Sequence, residues 1–135
     1  ITEAAVCSPY FTDLTGRQVS LADLVHFPLI SLGKDTKSFA FFSELFTEHG
    51  LPYQPDIEAF TADQILPMVQ ADLGVGFVPE EFLQDSSGVC KIDLKEPIPK
   101  RHIALIKRKE QPLSVAAKEL VHMILEQSES DALAV

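Results

Sequence analysis

The sequence has no tryptophan, two methionines, two cysteines and few basic residues. Its 20 Asp and Glu residues outnumber its 11 Lys and Arg residues, which gives a formal net charge of −9 at pH 7. Proteins engage nucleic acid by neutralising phosphates with Lys and Arg, so this balance argues against direct DNA or RNA binding by these residues. Basic residues cluster only at 100–101 and 107–109, and we interpret both clusters as solvated strand ends.

The spacings that carry catalysis or metal binding are also missing. Neither Cys7 nor Cys90 has a CxxC partner and the four histidines are scattered, so we expect no metal site. Two cysteines in a chain of this type favour small buried thiols over a disulfide. Gly74 and Gly76 follow a helix pattern and precede a strand pattern, which reverses the order of a dinucleotide-binding fingerprint. Because P-loop and Gly-x-Ser-x-Gly motifs are missing too, the sequence predicts neither an enzyme nor a bound cofactor.

Long hydrophobic runs are absent as well, since no run approaches the roughly 20 apolar residues that a membrane-spanning helix needs. We therefore expect no membrane partner. The 135 residues, 46% of them hydrophobic, suit one globular domain. The chain begins with Ile1 and shows no signal-peptide pattern, so we interpret it as a piece of a longer, cytoplasmic protein.

Residues 61–80 carry the most specific pattern in the chain. Thr61 followed three residues later by Gln64 predicts a capping box at a helix start. Apolar residues then recur at helical spacing, namely Ile65, Leu66, Val69 and Leu73. Pro67 predicts a kink in this helix or a start nearer Leu66. Asp72 lies where the chain must leave the helix and enter a short apolar strand, which Pro79 ends.

Extended segments alternate with helical patterns along most of the chain. The six predicted strands are Glu3–Cys7, Leu29–Leu32, Ile57–Phe60, Val75–Val78, Val89–Leu94 and Ile103–Lys107. Strands followed by helices, repeated with short turns, predict parallel pairing with helices on the faces of the sheet. The fold class is therefore α/β, with a mixed, mostly parallel sheet.

Three further helices are predicted. The first spans 20–24 and opens with Ser20 and Asp23, which resemble a capping box. The second spans 38–49 and ends at Gly50, and its core face holds Phe39, Phe42, Leu45 and Phe46. Phe41 lies at the margin of that face, either as an edge of the core or as a contact for a partner subunit, and we favour the core.

The last helix is predicted to begin at Ser114 after Pro112 and to fray beyond Glu126. Its buried face is predicted to hold Leu113, Ala117, Leu120, Val121 and Ile124.

Taken in order, these patterns resemble the effector-binding domain of LysR-type transcriptional regulators. In that family a helix ending in Val-x-x-Gly-x-Gly runs into an apolar strand and a Pro-Glu pair. The counterpart here is 69–80, although Asp72 stands where the family usually has glycine. Flanking segments resemble further elements of the same domain, at 19–30, 39–51, 101–108 and 114–125, so the resemblance covers almost the whole chain.

The resemblance implies a lobe with the fold of type II periplasmic binding proteins. Matching the motifs in order places residues 9–100 in the second of two lobes and residues 101–127 in a returning crossing strand and a final helix. It also implies that the first lobe and the amino-terminal helix-turn-helix domain lie outside these 135 residues. DNA binding would then belong to that other domain.

The segment Gly33–Ser38 is the first candidate for a ligand site. It lies between a predicted strand and the amino end of a predicted helix, where free backbone N–H groups and the helix dipole attract an anion. Thr36 and Ser38 offer hydroxyl groups and Lys37 adds positive charge. An ordinary helix start with solvated lysines would show the same residues. The resemblance favours a site, because the corresponding segment of the family often lines the effector cleft.

Two weaker candidates follow other strands. Thr61 lies at the next junction from strand to helix, although its hydroxyl is also a predicted cap. Ser8 and Pro9 follow the first strand and are candidates for the hinge side of the cleft, although a plain strand end explains them more simply.

The resemblance implies a non-enzymatic sensor that binds a small effector, commonly a carboxylate or other anion, and works as a homo-oligomer. An alternative of another class is one lobe of a periplasmic solute-binding protein, which shares the two-lobe architecture. A small acyl- or phosphoryl-transfer enzyme would need a nucleophile and a base that the sequence does not show.

Overall fold

The computed structural model describes residues 1–102 and 114–133. It divides into two compact units, Ile1–Arg101 and His102–Val135. Within the described part of the chain, no helix combines the length and the apolar character needed to cross a membrane.

The first unit contains seven short strands. They are β1 (Glu3–Cys7), β2 (Gln18–Val19), β3 (Ile30–Leu32), β4 (Ile57–Ala59), β5 (Gly76–Pro79), β6 (Cys90–Lys91) and β7 (Asp93–Leu94). Strand β1 lies between β5 and β6 and is antiparallel to both, whereas β3 pairs with β4 and β2 pairs with β7 in parallel. A parallel bridge between Leu29 and Val75 joins the starts of β3 and β5.

The α/β class is as predicted, but a mostly parallel sheet is not confirmed within residues 1–102. The pairing is divided among three small sheets, of which the largest is antiparallel. Strand β1 accounts for this difference, because it lies between β5 and β6 and runs opposite to both. The predicted strand 89–94 is also broken, because β6 pairs with β1 and β7 turns to pair with β2.

Helices α1 (Leu21–Leu24) and α2 (Lys37–Glu48) begin at polar caps. The predicted capping box of Ser20 and Asp23 is present at α1. Helix α2 starts one residue earlier than predicted, because the hydroxyl of Thr36 accepts a hydrogen bond from the N–H of Phe39 at 3.1 Å. Gly50 ends this helix with φ of 70°, as predicted.

The predicted helix over 61–73 forms in two parts. A 3-10 turn at Ala62–Gln64 leads into α3 (Ile65–Gln70), so Pro67 lies in the first turn, where its missing N–H costs little. Asp72 takes the left-handed conformation after the helix end, with φ of 65°. Leu73 therefore lies outside the helix and is 46% exposed, which corrects its assignment to the apolar face.

Strand β1 is buried on both faces and separates two hydrophobic clusters. On one face Ala5 and Cys7 pack with side chains of α2, which are Phe42, Leu45 and Phe46. On the other face Ala4 and Val6 pack with Ile65 and Val69 of α3. Phe39 is only partly buried and contacts Tyr53, with ring centroids 5.2 Å apart. Phe41 packs at the edge of the first cluster, as favoured above.

The second unit contains helix α4 (Val115–Leu133). Ser114 caps it as predicted, since its hydroxyl accepts from the N–H of Ala117 at 3.1 Å. The helix continues past Glu126, where fraying was predicted. Leu120 and Ile124 are exposed, which corrects their predicted burial, while Ala117 and Val121 are partly buried. Leu113 and the predicted strand at Ile103–Lys107 lie outside the described residues.

Candidate functional site

One edge of the first unit gathers several strand ends. Strands β3 and β4 run parallel, and the bridge at Leu29 and Val75 aligns β3 with β5, so all three strands end at the same edge. Strand β1 starts at this edge, because Glu3 pairs with Pro79. The carboxyl ends of parallel strands are the usual place for ligands in α/β sheets. We call this the β3–β5 edge.

A tight turn at Gly33–Thr36 carries the chain from β3 into α2. Both the N–H and the hydroxyl of Thr36 donate to the carbonyl of Gly33, at 3.0 and 2.7 Å. The same hydroxyl accepts from Phe39 as the helix cap, so it is engaged within the chain on both sides. A Cβ on Gly33 would approach the carboxylate of Glu58 to 3.0 Å. Thr36 therefore positions the helix start and has little capacity left for a ligand.

The first turn of α2 presents backbone donors at the β3–β5 edge. The N–H groups of the first helical turn have no partner within their own helix, and the dipole places a partial positive charge there. Lys37 is exposed and Ser38 is partly buried at this turn. These groups suit the binding of a small anion.

Arg101 is the central side chain of the site, and the sequence patterns did not predict it. Its Nη1 donates to Ser38 Oγ at 2.9 Å and lies 3.3 Å from Glu3 Oε1. Its guanidinium stands over the ring of Phe41, 5.0 Å from the centroid. The interpretation of this arginine as a solvated strand end is therefore wrong, since its side chain is 26% exposed.

The backbone of Arg101 is held as firmly as its side chain. Its N–H donates to the carbonyl of Ile1 at 3.0 Å, and the amino group of Ile1 donates to the carbonyl of Arg101 at 2.8 Å. The start of β1 and the segment that ends the first unit thus lie side by side. This pairing places the guanidinium against the first turn of α2.

Glu3 balances the charge of Arg101 from inside the sheet. The residue is 8% exposed, and burial raises the pKa of its carboxyl above the ordinary 4.5, while the Arg101 guanidinium acts in the opposite direction. Glu3 contacts Arg101 through Nη1, so the N–H groups on the other guanidinium nitrogens are available to a second anion. The sequence patterns placed Glu3 at the start of a predicted strand and gave no sign of its contact with Arg101.

Thr61 and Phe60 lie beside this turn. Leu32 pairs with Ala59, so the residues that follow, Gly33 and Phe60, leave their strands next to each other. Phe60 is 91% exposed and its N–H donates to Gln64 Oε1 at 2.9 Å, whereas it was predicted to lie within the strand. The Thr61 N–H donates to the same oxygen at 3.4 Å, within the predicted capping box.

The structure does not bring Ser8 and Pro9 to this edge. Strand β1 runs opposite to β5, so Ser8 follows its far end, at the opposite edge of the sheet. Ser8 is buried and its Oγ accepts from the N–H of Tyr10 at 3.3 Å, while Pro9 is exposed. These contacts are those of a plain strand end, and we no longer assign either residue to the cleft.

An open groove of about 440 Å³ adjoins Glu3 on the side of β6 and β7. Among the acids that line it, Glu3, Glu80 and Glu96 have partners within the chain. Glu80 pairs with Lys91, and the Glu96 carboxylate accepts from the N–H of Leu21 at 3.0 Å. The groove does not include the first turn of α2. No three His, Cys, Asp or Glu side chains converge on a metal position within the described ranges.

Comparison with known protein families gives one match. The model described as the LysR substrate binding domain matches residues 4–129. A comparison with curated proteins gives no significant match.

Comparison with solved structures identifies similar folds. The chain is 27% identical to HinK, a LysR family transcriptional regulator from Pseudomonas aeruginosa, with a TM-score of 0.72 over 93% of this chain and 44% of that one. The effector-binding domain of QuiR in complex with shikimate is 17% identical, with a TM-score of 0.79 over 96% of this chain and 62% of that one. The regulatory domain of CcmR from Synechocystis, in complex with 2-PG, is 13% identical, with a TM-score of 0.73 over 93% and 62%. The chain thus spans less than two-thirds of each of these structures.

Proposed function

Because this chain belongs to the LysR substrate-binding family, as the effector-binding domain of a LysR-type transcriptional regulator, we propose that its β3–β5 edge binds the anionic group of a small effector. The family consists of regulators, not enzymes. The observation that carries the proposal is the contact of Arg101 Nη1 with Ser38 Oγ, 2.9 Å long, at the first turn of α2. It combines a fixed positive charge with free backbone donors at one place.

Each residue of the edge has a separate part in this proposal. Ser38 and Arg101 contact the anion together with the backbone N–H of Lys37. Thr36 and Gly33 shape the turn that aims those donors, as their mutual hydrogen bonds indicate. Thr61 holds the neighbouring junction in place.

The class of ligand follows from the charge and shape of the edge. Arginine binds carboxylate and phosphate through paired N–H groups, so a small organic acid fits the site. Shikimate, which is bound by the similar QuiR domain, is such an acid. The exposed ring of Phe60 gives the effector an apolar surface beside the anion position.

The regulatory mechanism is a shift between two arrangements of a larger protein. We propose that this chain is the second lobe, that the effector bridges it to a first lobe, and that the protein is a cytoplasmic homo-oligomer that binds DNA through a separate domain. A ligand shifts such an equilibrium only by its differential affinity for the two arrangements. A lobe tested alone should therefore bind the effector weakly.

Titration of the chain with acetate, benzoate and shikimate, followed by amide NMR, tests the site. We expect the amide signals of residues 37–39 to move most and to saturate at millimolar ligand, which is the range of weak single-lobe binding. Arg101→Gln should weaken binding at least about fivefold, since a charged hydrogen bond is worth about 1.5–3 kcal/mol before solvent screening.

Arg17→Gln is the matched control, because Arg17 is also paired with an acid, Asp23, but lies away from the edge. It should leave binding unchanged. If none of the three acids moved the 37–39 amides, or if both arginine variants weakened binding equally, the proposed site would be wrong.

A further inference from the structure

The two cysteines of the chain face each other across neighbouring strands. Cys7 in β1 and Cys90 in β6 are paired in the antiparallel register, although 82 residues lie between them in the sequence. Both are free thiols. Cross-strand partners point to the same face of a sheet, and both cysteines indeed contact the cluster that includes Phe77.

The register also gives the spacing of the pair. The N–H of Ile92 donates to the carbonyl of Ala5 at 2.8 Å, so these two residues form a hydrogen-bonded pair. Pairs alternate along an antiparallel ladder, and Cys7 with Cys90 is therefore of the same type, with Cα atoms about 5.5 Å apart. Disulfides join Cα atoms about 4.4–6.8 Å apart, so the two sulfur atoms can bond without a large movement of the backbone.

The surroundings of the two thiols differ. Cys7 is fully buried, and burial together with the neighbouring Cys90 raises the pKa of its thiol to about 11. Cys90 is partly exposed near the edge of the unit. Oxidants react with exposed thiolates, so Cys90 is the thiol that reacts with an oxidant in solution. Cys7 is the thiol that then reacts with oxidised Cys90.

We propose that Cys7 and Cys90 form a reversible oxidation site, at which a hydroperoxide converts the two thiols into a disulfide. In the first step the Cys90 thiolate attacks a peroxide oxygen. The O–O bond breaks, Cys90 becomes a sulfenic acid, and the leaving oxygen takes up protons to form water or an alcohol. In the second step the Cys7 sulfur attacks the Cys90 sulfur, the S–O bond breaks, and the released hydroxyl leaves as water with the proton of Cys7. The peroxide is reduced by two electrons, which the two thiols supply.

The disulfide ties β6 covalently to β1. These strands share two register pairs, Val6 with Lys91 and Cys7 with Cys90, beside the hydrogen bond of Ile92 with Ala5, so the oxidised chain gains a covalent bond on a short ladder. A closed loop of this length restricts the unfolded chain strongly. A hydrogen-bonded strand pair has little freedom to relax around a disulfide, so this disulfide should be strained. Strained disulfides are reduced more easily, and thiols should therefore reopen the bond. The oxidation state would then set the stability of the pairing between β6 and β1, at the end of β1 away from Glu3.

The experiment treats the folded, reduced chain with hydrogen peroxide in native buffer and maps the products by mass spectrometry. The expected product is a monomer two hydrogens lighter, in which the tryptic peptides 1–17 and 38–91 are joined. Neither thiol should then react with iodoacetamide, the urea midpoint should rise, and dithiothreitol should reverse all three changes.

Two variants separate the roles of the thiols. Cys90→Ser should leave Cys7 reduced and reactive only after denaturation. Cys7→Ala should stop at a sulfenic acid on Cys90 that dimedone traps. If Cys7→Ala does not fold, the peptide map of the unsubstituted chain and Cys90→Ser still decide the question. A product in which Cys90 is over-oxidised while Cys7 stays reduced, or in which Cys90 links two chains, would overturn the proposal. Neither result depends on the effector site.

Discussion

The Nη1 atom of Arg101 donates a hydrogen bond to Ser38 Oγ at 2.9 Å, across 63 positions of sequence. The contact connects the segment that ends the first unit to the first turn of α2. The same nitrogen lies 3.3 Å from the buried carboxylate of Glu3, so one arginine links a helix start to the first strand.

The pair of Glu3 and Arg101 should make stability depend on pH. Burial raises the pKa of Glu3 above 4.5, so the folded chain keeps this proton to a higher pH than the unfolded chain does. The free energy of unfolding contributed by this group therefore falls as pH rises from 4.5 through the raised pKa, and is level above it. Glu3→Gln should remove the fall, whereas Arg101→Gln should enlarge it. Urea unfolding between about pH 4 and pH 8 measures both slopes.

Glu44→Gln is the control for these slopes, because Glu44 is exposed on α2. Equal slopes in Glu3→Gln and the unsubstituted chain would show that Glu3 is not the group responsible.

Thr36 should contribute to stability through its cap. Replacing it by alanine leaves the Phe39 N–H without its partner and should lower the free energy of unfolding by about 1 kcal/mol. Thr36→Asn keeps an acceptor at the same place and should recover most of that loss. Denaturant unfolding at one pH distinguishes the two variants. A loss in Thr36→Asn as large as that in Thr36→Ala would contradict the capping role.

Gly74 should tolerate no side chain. A Cβ there would lie 2.5 Å from the backbone carbonyl oxygen of Pro28, which accepts from the N–H of Val75 at 2.8 Å. Gly74→Ala must push the bridge between β3 and β5 apart and should cost about 2–3 kcal/mol. Thermal or urea unfolding measures this loss.

The matched control for that substitution is Gly88→Asn. Gly88 has φ of 74° and open space around its Cβ position, and asparagine tolerates that conformation, so the cost should stay below about 1 kcal/mol. If the two variants lost equal stability, close approach to Pro28 would not explain Gly74.

Phe60 should matter for binding and not for folding. Because its ring is 91% exposed, Phe60→Ala should change the free energy of unfolding by less than about 0.5 kcal/mol. The same change should weaken binding of benzoate more than binding of acetate, since only benzoate presents an apolar ring. Parallel NMR titrations give both affinities. Equal losses for the two acids would exclude a contact between Phe60 and the ligand ring.

Local chemistry made several elements predictable. The capping box of Ser20 and Asp23 and the helix end at Gly50 each depend on residues within one helical turn. Both are found where they were predicted. The break in the helix over 61–73 was also foreseen from Pro67, since a missing N–H excludes the residue from a helix interior. The left-handed Asp72 is the detail in which this chain departs from the glycine of the family pattern.

Contacts between distant segments were not predictable in the same way. Arg101 looked like a surface charge because nothing within its own segment shows that Ser38, Glu3 and Phe41 surround it. The position of Ser8 at the end of β1 opposite to Glu3 also depends on pairing between distant strands.

The sequence by itself determined the α/β class, most helix starts, the helix exit at Gly50 and the family, because these rest on periodicity and capping within a few residues. Only the tertiary structure decided that β1 runs antiparallel between β5 and β6, that Arg101 contacts Ser38, and that Cys7 faces Cys90. Strand register and long-range ion pairs are set by the packing of whole elements, and that packing has no signature within any single stretch of the chain.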